Sequence, residues 1–279
     1  MAKIRVVTDS ASDLPAALCT ELGIDIVPLS IRFGNDEYTD RLDLTAEEFW
    51  AKCHASAELP ETAAPAPGLF QAAYQRALDD GCDGVIVVAL SEELSATYQS
   101  ATLGAQAMEG AIAVRVVNSL AVSMAQGLIA LEVAEAAQKG ATLDELVALC
   151  ESAAHRGGVI ATINTLEHLI KGGRLKGAKA LLGSMLSVKP ILKLEGGLVV
   201  EAGRARTRSK AFAACVDEAR AAGPLRRLAV VHGSADDVNT LVELAGALST
   251  EIPLVIADIG PVVGTHGGPG IAGLCWLRA

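Results

Sequence analysis

The first thirty residues set the architecture. Residues 3–8 form a β-branched run and read as a strand. Asp9, Ser10, Ser12 and Asp13 follow as a polar turn. A helix then runs to about Leu22, Gly23 closes it, and residues 24–29 make a second strand. Strands joined by a helix of this length lie parallel, because a parallel neighbour needs a long crossover. The opening therefore commits the chain to an α/β sheet covered by helices. Residues 84–90 are apolar throughout, as a central strand covered on both faces requires. Residues 113–117 add another strand, ending in Asn118-Ser119. In open α/β sheets ligands gather at the carboxyl ends of strands. Asp9 and Ser10 stand at such an end, where they either meet a ligand or cap a helix.

The helices between these strands are legible from caps and apolar spacing. Thr45 with Glu48 and Thr142 with Glu145 are capping boxes. The first opens the helix of Phe49 and Trp50, and the second a helix ending at Gly157-Gly158. Residues 34–43 are a polar turn with hairpin character. Residues 59–70 hold three prolines and predict a stiff extended loop before a helix. That helix carries Leu69, Phe70, Ala73, Tyr74, Ala77 and Leu78 on one face and stops at Gly81. Ser95 is the expected N-cap of a helix from about Ala96. A long helix over residues 121–139 is closed by Gly140. Its Ala125, Gly127 and Ala130 let another element approach closely. Gln126, Glu132 and Glu135 interrupt the apolar run around it, so it reads as a buried helix and not a membrane span.

A domain boundary is expected near residue 156, dividing the chain into 1–156 and 157–279. The second part opens with TINTLEHLIKGGRLKGAKALLGSMLSVKPIL. Asn164 with Glu167 predicts a capping box, and Leu166, Leu169 and Ile170 an apolar stripe. Gly172-Gly173 stops that helix. Arg174 projects from the break, residues 176–188 resume a helix, and Pro190 ends it. This is either an anion-binding corner or a helical hairpin with a solvated arginine. Residues 191–200 fold back across Glu195-Gly196-Gly197 as a hairpin. Arg204, Arg206 and Arg208 share one face if extended, to guard a sheet edge or meet an acidic partner. A helix to Ala222, a strand over 228–232, a helix over 236–248 and a strand over 254–258 follow. An accessible glycine-rich loop around His266 leads into a last strand, 272–277.

The chain has 279 residues and a formal net charge of −10. That charge argues against a nucleic-acid surface and an anionic membrane surface, both of which need clustered Lys and Arg. The six cysteines show no metal or redox spacing, so reduced thiols in a cytosol are expected. No basic-then-apolar leader opens the chain.

TLEHLIKGGR with KALLGSMLSVKPIL resembles the DegV family of bacterial fatty-acid-binding proteins. So do VVTDSASDLP at residues 6–15, the Thr62 loop, LSATYQSA at 94–101, RARTR at 204–208 and IGPVVGTHGGPGIAGL at 259–274. The resemblance implies a two-domain α/β fold. Its N-terminal sheet is mainly parallel and Rossmann-like, its C-terminal sheet mixed or antiparallel, and a ligand cavity lies between them. It implies that Thr62 and Ser95 hold a long-chain fatty-acid carboxylate, with Arg174 and His266 beside the head group to support phosphoryl transfer. A separate fatty acid kinase would be the partner, in a cytoplasmic route to phospholipid, and this chain a carrier with no catalytic residue, metal or cofactor of its own. Ala63 and Ala64 replace the family's serine and glutamine, Ala96 its glycine, and Asn118 its aspartate.

Other readings stand beside this one. A lipid-binding regulator without a kinase is one alternative. A small-molecule hydrolase using Ser95 and His266, with Asp9 as third member, is another, but no G-x-S-x-G surrounds any serine. Nucleotide binding lacks a P-loop or a G-x-G-x-x-G in context.

Overall fold

The fold is described from a computed structural model, for residues 2–56, 58–175 and 188–279. Its N-terminal half follows the predicted strand–helix–strand order. It comprises β1 (Ile4–Asp9), a 3-10 turn (Ser10–Ser12), α1 (Ala16–Leu22), β2 (Ile24–Val27), β3 (Ser30–Phe33), β4 (Asp36–Thr39), α2 (Ala46–Ala55), β5 (Glu61–Ala63), α3 (Pro67–Asp79), β6 (Gly84–Ala89), α4 (Thr97–Gln106), β7 (Ala113–Asn118), α5 (Met124–Gln138) and α6 (Leu143–Arg156). Strands β2, β1, β6 and β7 form a sheet in that order, with every pairing parallel. β6 is buried along its whole length, as its apolar run predicts. Asp9 closes the carboxyl end of β1 as a structural group. It accepts from the Ala11 and Leu90 N–H groups and from Gln126. The hairpin β3–β4 and β5 make a small antiparallel sheet, so part of the proline-rich loop is a strand.

The second half comprises β8 (Gly157–Thr162), α7 (Glu167–Lys171), β9 (Lys189–Glu195), β10 (Leu198–Ala205), α8 (Arg208–Ala221), β11 (Leu225–Gly233), α9 (Val238–Ala245), β12 (Val255–Asp258), α10 (Pro261–Gly267) and β13 (Ile271–Arg278). Its sheet runs β10-β9-β8-β13-β11-β12. The β11–β12 pairing is parallel and the others are antiparallel, so the sheet is mixed.

Helix α5 joins the halves. Every residue from Met124 to Ala134 is buried, because the helix touches β1 on one side and β13 and β8 on the other. A Cβ on Gly127 would stand 2.8 Å from the Ser12 carbonyl, so its small residues serve packing. Among the described residues no helix is long and apolar enough to cross a membrane.

Several local expectations give way to long-range contacts. Asn164 forms no capping box; its amide donates to the Pro269 carbonyl and its oxygen accepts from Lys189. Pro190 lies inside β9, near the strand start where a missing N–H is tolerated. The expected helix over 176–188 falls, but for Val188, outside the described residues. Leu69 and Ile170 leave their predicted apolar faces and are exposed. Arg204 lies in β10, Arg206 in a bend, and Arg208 opens α8 on Asp237, so the three share no extended face. Both Thr45 and Thr142 capping boxes form. All six cysteines are free thiols.

Candidate functional site

A cavity of about 920 Å³ of atom-free space, open mouth included, lies between the carboxyl ends of the parallel strands and one face of the mixed sheet. Leu29, Leu90, Leu94 and Val122 line it from loops that follow β2, β6 and β7. Ala161, Leu192, Leu194, Val199 and Val231 line it from the sheet. Strand register explains that floor. Ala161 pairs with Leu192 and Leu194 with Val199, and directly opposed residues share a face. Lys193 falls on the other face, opposite Ile160, and its ammonium reaches Glu218 at 3.2 Å. It therefore adds no free charge to the cavity.

The polar groups of the lining include Thr62, Ser95, Arg174 and His266, the four residues singled out in the sequence. Thr62 sits on β5, held opposite Ile31 of β3. Its Oγ1 is 2.9 Å from His266 Nε2. His266 belongs to the last turn of the short helix α10 and not to an open loop. The glycines around it permit tight packing: a Cβ on Gly264 would strike Phe49 and Trp50, and one on Gly172 would strike the His266 ring. Arg174 leaves the chain just after Gly173, whose φ of 70° is left-handed. Its Nε donates to the Leu94 carbonyl at 3.1 Å and its Nη1 to the Gly172 carbonyl at 2.5 Å. The guanidinium thus straps α7 to the residue before Ser95. Ser95 accepts from the Thr97 N–H at 3.3 Å and shares a 2.9 Å bond with the Thr97 hydroxyl. It is not the N-cap expected of it: it lies one residue before the observed cap, Ala96, which makes no side-chain bond.

Burial pulls His266 down to about 3, with help from the Arg174 charge and from His168. The imidazole is therefore neutral at pH 7. Its Nδ1 is buried against Gly172 and finds no partner among the described residues. An orphaned donor is rarer than an orphaned acceptor, which favours the proton on Nε2, donated to Thr62. The Thr62 hydroxyl then has its own proton to give to a ligand. Burial also draws Arg174 below its ordinary value, yet a guanidinium stays charged. This end of the cavity thus offers hydroxyls, one neutral imidazole and one cation beneath an aliphatic channel.

No hydrolase triad forms. His266 pairs with Thr62, not Ser95, and both Asp9 oxygens are taken by Ala11, Leu90 and Gln126. Among the described residues no group of three or more His, Cys, Asp or Glu side chains is arranged to hold a metal. Two wall features escaped the sequence reading. Gly172 seats His266, and Ser123, at a φ of 56°, lines the cavity beside Val122. The double glycine was a signal for the first; nothing local marks the second.

Comparison with known proteins matches residues 3–279 to a family model described as an uncharacterised protein of the DegV family. A DegV domain-containing protein of Streptomyces coelicolor is 36% identical over 277 residues, covering 97% of each chain. Among solved structures, a fatty-acid-binding DegV family protein from Thermus thermophilus superposes with a TM-score of 0.91 at 34% identity, covering 99% of this chain and 100% of its own. DegV of Bacillus subtilis, described as a fatty acid binding protein, gives a TM-score of 0.89 at 31% identity, covering 100% of both.

Proposed function

This chain belongs to the DegV family, and on that premise we propose that it holds a long-chain fatty acid in the cavity and presents the carboxylate to a separate fatty acid kinase. The observation that carries the reading is the pairing of an aliphatic channel with a head of hydroxyls and one guanidinium. Each buried CH₂ contributes about 0.8 kcal/mol, which the channel supplies. A carboxylate buried without donors is prohibitively costly, and Thr62 and Ser95 supply them. Arg174 provides the opposite charge, and neutral His266 fixes the Thr62 hydroxyl. During phosphoryl transfer Arg174 and His266 would support the charge developing at the head group. Family members of solved structure are described as fatty-acid-binding proteins, in keeping with a carrier. We read residues 1–156 and 157–279 as two domains enclosing the site, and the protein as cytoplasmic.

Mass spectrometry of the purified protein, before and after organic extraction, tests the ligand. One long-chain acid per chain is expected, and retention falls in the Thr62→Val, Ser95→Ala double variant. A protein that stays empty after incubation with fatty acids rejects the reading. Unchanged retention in the double variant rejects the head-group assignment alone. Phosphate transfer from ATP to the bound acid, on adding a bacterial fatty acid kinase, tests the partner.

A further inference from the structure

Asp13 lies in the turn after β1, 4% exposed and in the left-handed region at φ 51°. Its carboxyl group binds two segments far away in sequence. Oδ2 accepts from the Ser123 hydroxyl at 2.5 Å, and Oδ1 accepts from the Gly260 N–H at 2.9 Å. One partner lines the cavity and the other caps a helix that does. Ser123 lines it at the start of α5, itself at a φ of 56°. Its N–H is also bound, to the Ala11 carbonyl at 2.8 Å. Gly260 is the N-cap of α10, the helix that supplies Val262, Val263 and His266 to the lining. A non-glycine residue holds a left-handed backbone only where its surroundings over-determine it. Here two such residues share one short hydrogen bond, and the remaining oxygen of the pair reaches the helix that carries the histidine.

The other polar anchors at this end of α10 include the Ile259 N–H on the His232 carbonyl at 2.6 Å and the Thr265 hydroxyl on the Pro261 carbonyl at 2.8 Å. Trp50 Nε1 donates to the Ile259 carbonyl at 3.2 Å, just before the N-cap. The Gly264 N–H closes the first turn on the Gly260 carbonyl at 2.8 Å. Gly260 carries no side chain to cap its own helix, and Asp13 binds the N-cap's own N–H from across the molecule. The donor it satisfies is the one that a capping-box Glu reaches from within a helix.

We propose that Asp13 is a positioning residue of the head-group site: by holding Gly260 and Ser123 together it sets α10, and through α10 the His266 ring against Thr62. The ligand half of this statement rests on the function proposed above; the placement of α10 does not. Asp13 neither lines the cavity nor bonds any of the four head-group residues, so the route assigned to its effect is α10 and the His266 ring.

The test compares Asp13→Ala and Asp13→Asn in delipidated protein. An asparagine keeps an acceptor for Gly260 and places a donor toward Ser123, so it should behave within about threefold of wild type. Asp13→Ala should weaken binding of a fluorescent long-chain acid about tenfold, the scale of one lost hydrogen bond to a charged group. In a His266→Ala background the same change should cost nothing further, because neighbours that act as a unit are not additive. Amide hydrogen exchange read on ligand-free protein should show the α10 amides opening at least about tenfold faster in Asp13→Ala. Ser123→Ala, a milder cut of the same link, covers an Asp13→Ala protein that does not fold, with both changes expected at about threefold. Unaltered α10 exchange overturns the positioning role, whether or not lipid binds. An affinity loss equal with and without His266 overturns the route through His266. A wild-type protein that takes up no fatty acid fails the ligand reading, while α10 exchange still decides the role of Asp13.

Discussion

Replacing Gly172 with alanine probes the head of the cavity through one methyl group. Gly172 has φ −70° and ψ −9°, helical values that alanine adopts without strain. The backbone therefore contributes no penalty. A Cβ at this position would stand 2.3 Å from His266 Nδ1 and 2.8 Å from its Cε1, where ordinary contact starts at 3.4 Å. The ring must retreat by 3.4 minus 2.3, or about 1.1 Å. Nε2 lies across the ring from Nδ1, so the 2.9 Å bond to Thr62 does not survive a shift of that size. Forcing a group into a packed site costs about 1–3 kcal/mol. In a chain of this length that lowers Tm by roughly 2–4 °C per kcal/mol. Loss of the oriented Thr62 hydroxyl weakens fatty-acid binding about tenfold, near 1.4 kcal/mol. Thermal melting and titration with a fluorescent long-chain acid measure the two effects separately. Adding His266→Ala removes the ring that the methyl strikes, so Tm recovers while affinity stays low. Wild-type Tm and affinity in Gly172→Ala would refute the packing of the ring on Gly172. A Tm loss that persists in the double variant would refute His266 as its cause.

Two further outcomes follow from buried polar groups. Burial raises Asp13 from 3.8 to about 7, against hydrogen bonds from Ser123 and Gly260 and the charge of Arg41, with Asp40 adding to the rise. The folded state thus keeps a proton that the unfolded chain releases from about pH 4 upward. The resulting stability is complete below about pH 4 and lost as pH climbs to about 7, on the order of 4 kcal/mol. Asp13→Asn, which cannot ionise, should gain on wild type across that window in denaturant unfolding; a difference that stays flat with pH contradicts the assignment. Away from the cavity, the buried Ser91 hydroxyl donates to the Gly197 carbonyl at 2.9 Å, at the tip of the β9–β10 hairpin. Ser91→Ala leaves that carbonyl unpaired, at about 1–3 kcal/mol, and should speed amide exchange in the hairpin turn about tenfold. Unchanged exchange there would show that the hairpin is held by its apolar contacts alone.

What the chain declares locally is what local forces decide. The order β1–α1–β2, the buried strand β6, the hairpin after β9 and the Thr45 and Thr142 capping boxes depend on residues within a few positions of one another. All of them stand in the structure. The four candidate site residues were named by resemblance, not spacing, because 62, 95, 174 and 266 come to one cavity only through sheet and helix packing. Where a side chain had both a local and a distant option, tertiary structure chose. Asn164 gave up its capping box for Pro269 and Lys189. The glycine-rich stretch around His266 reads as a loop because glycine is a poor helix former. Packed on Phe49 and Trp50 it is helical, since only a residue without a Cβ fits there. The neutrality of His266 was equally out of reach, being set by burial and by the guanidinium of Arg174. Sequence by itself determined the fold class, and only resemblance singled out the four candidate site residues. The tertiary structure decided their protonation and geometry, because burial and contact between distant segments exist only once the chain has closed.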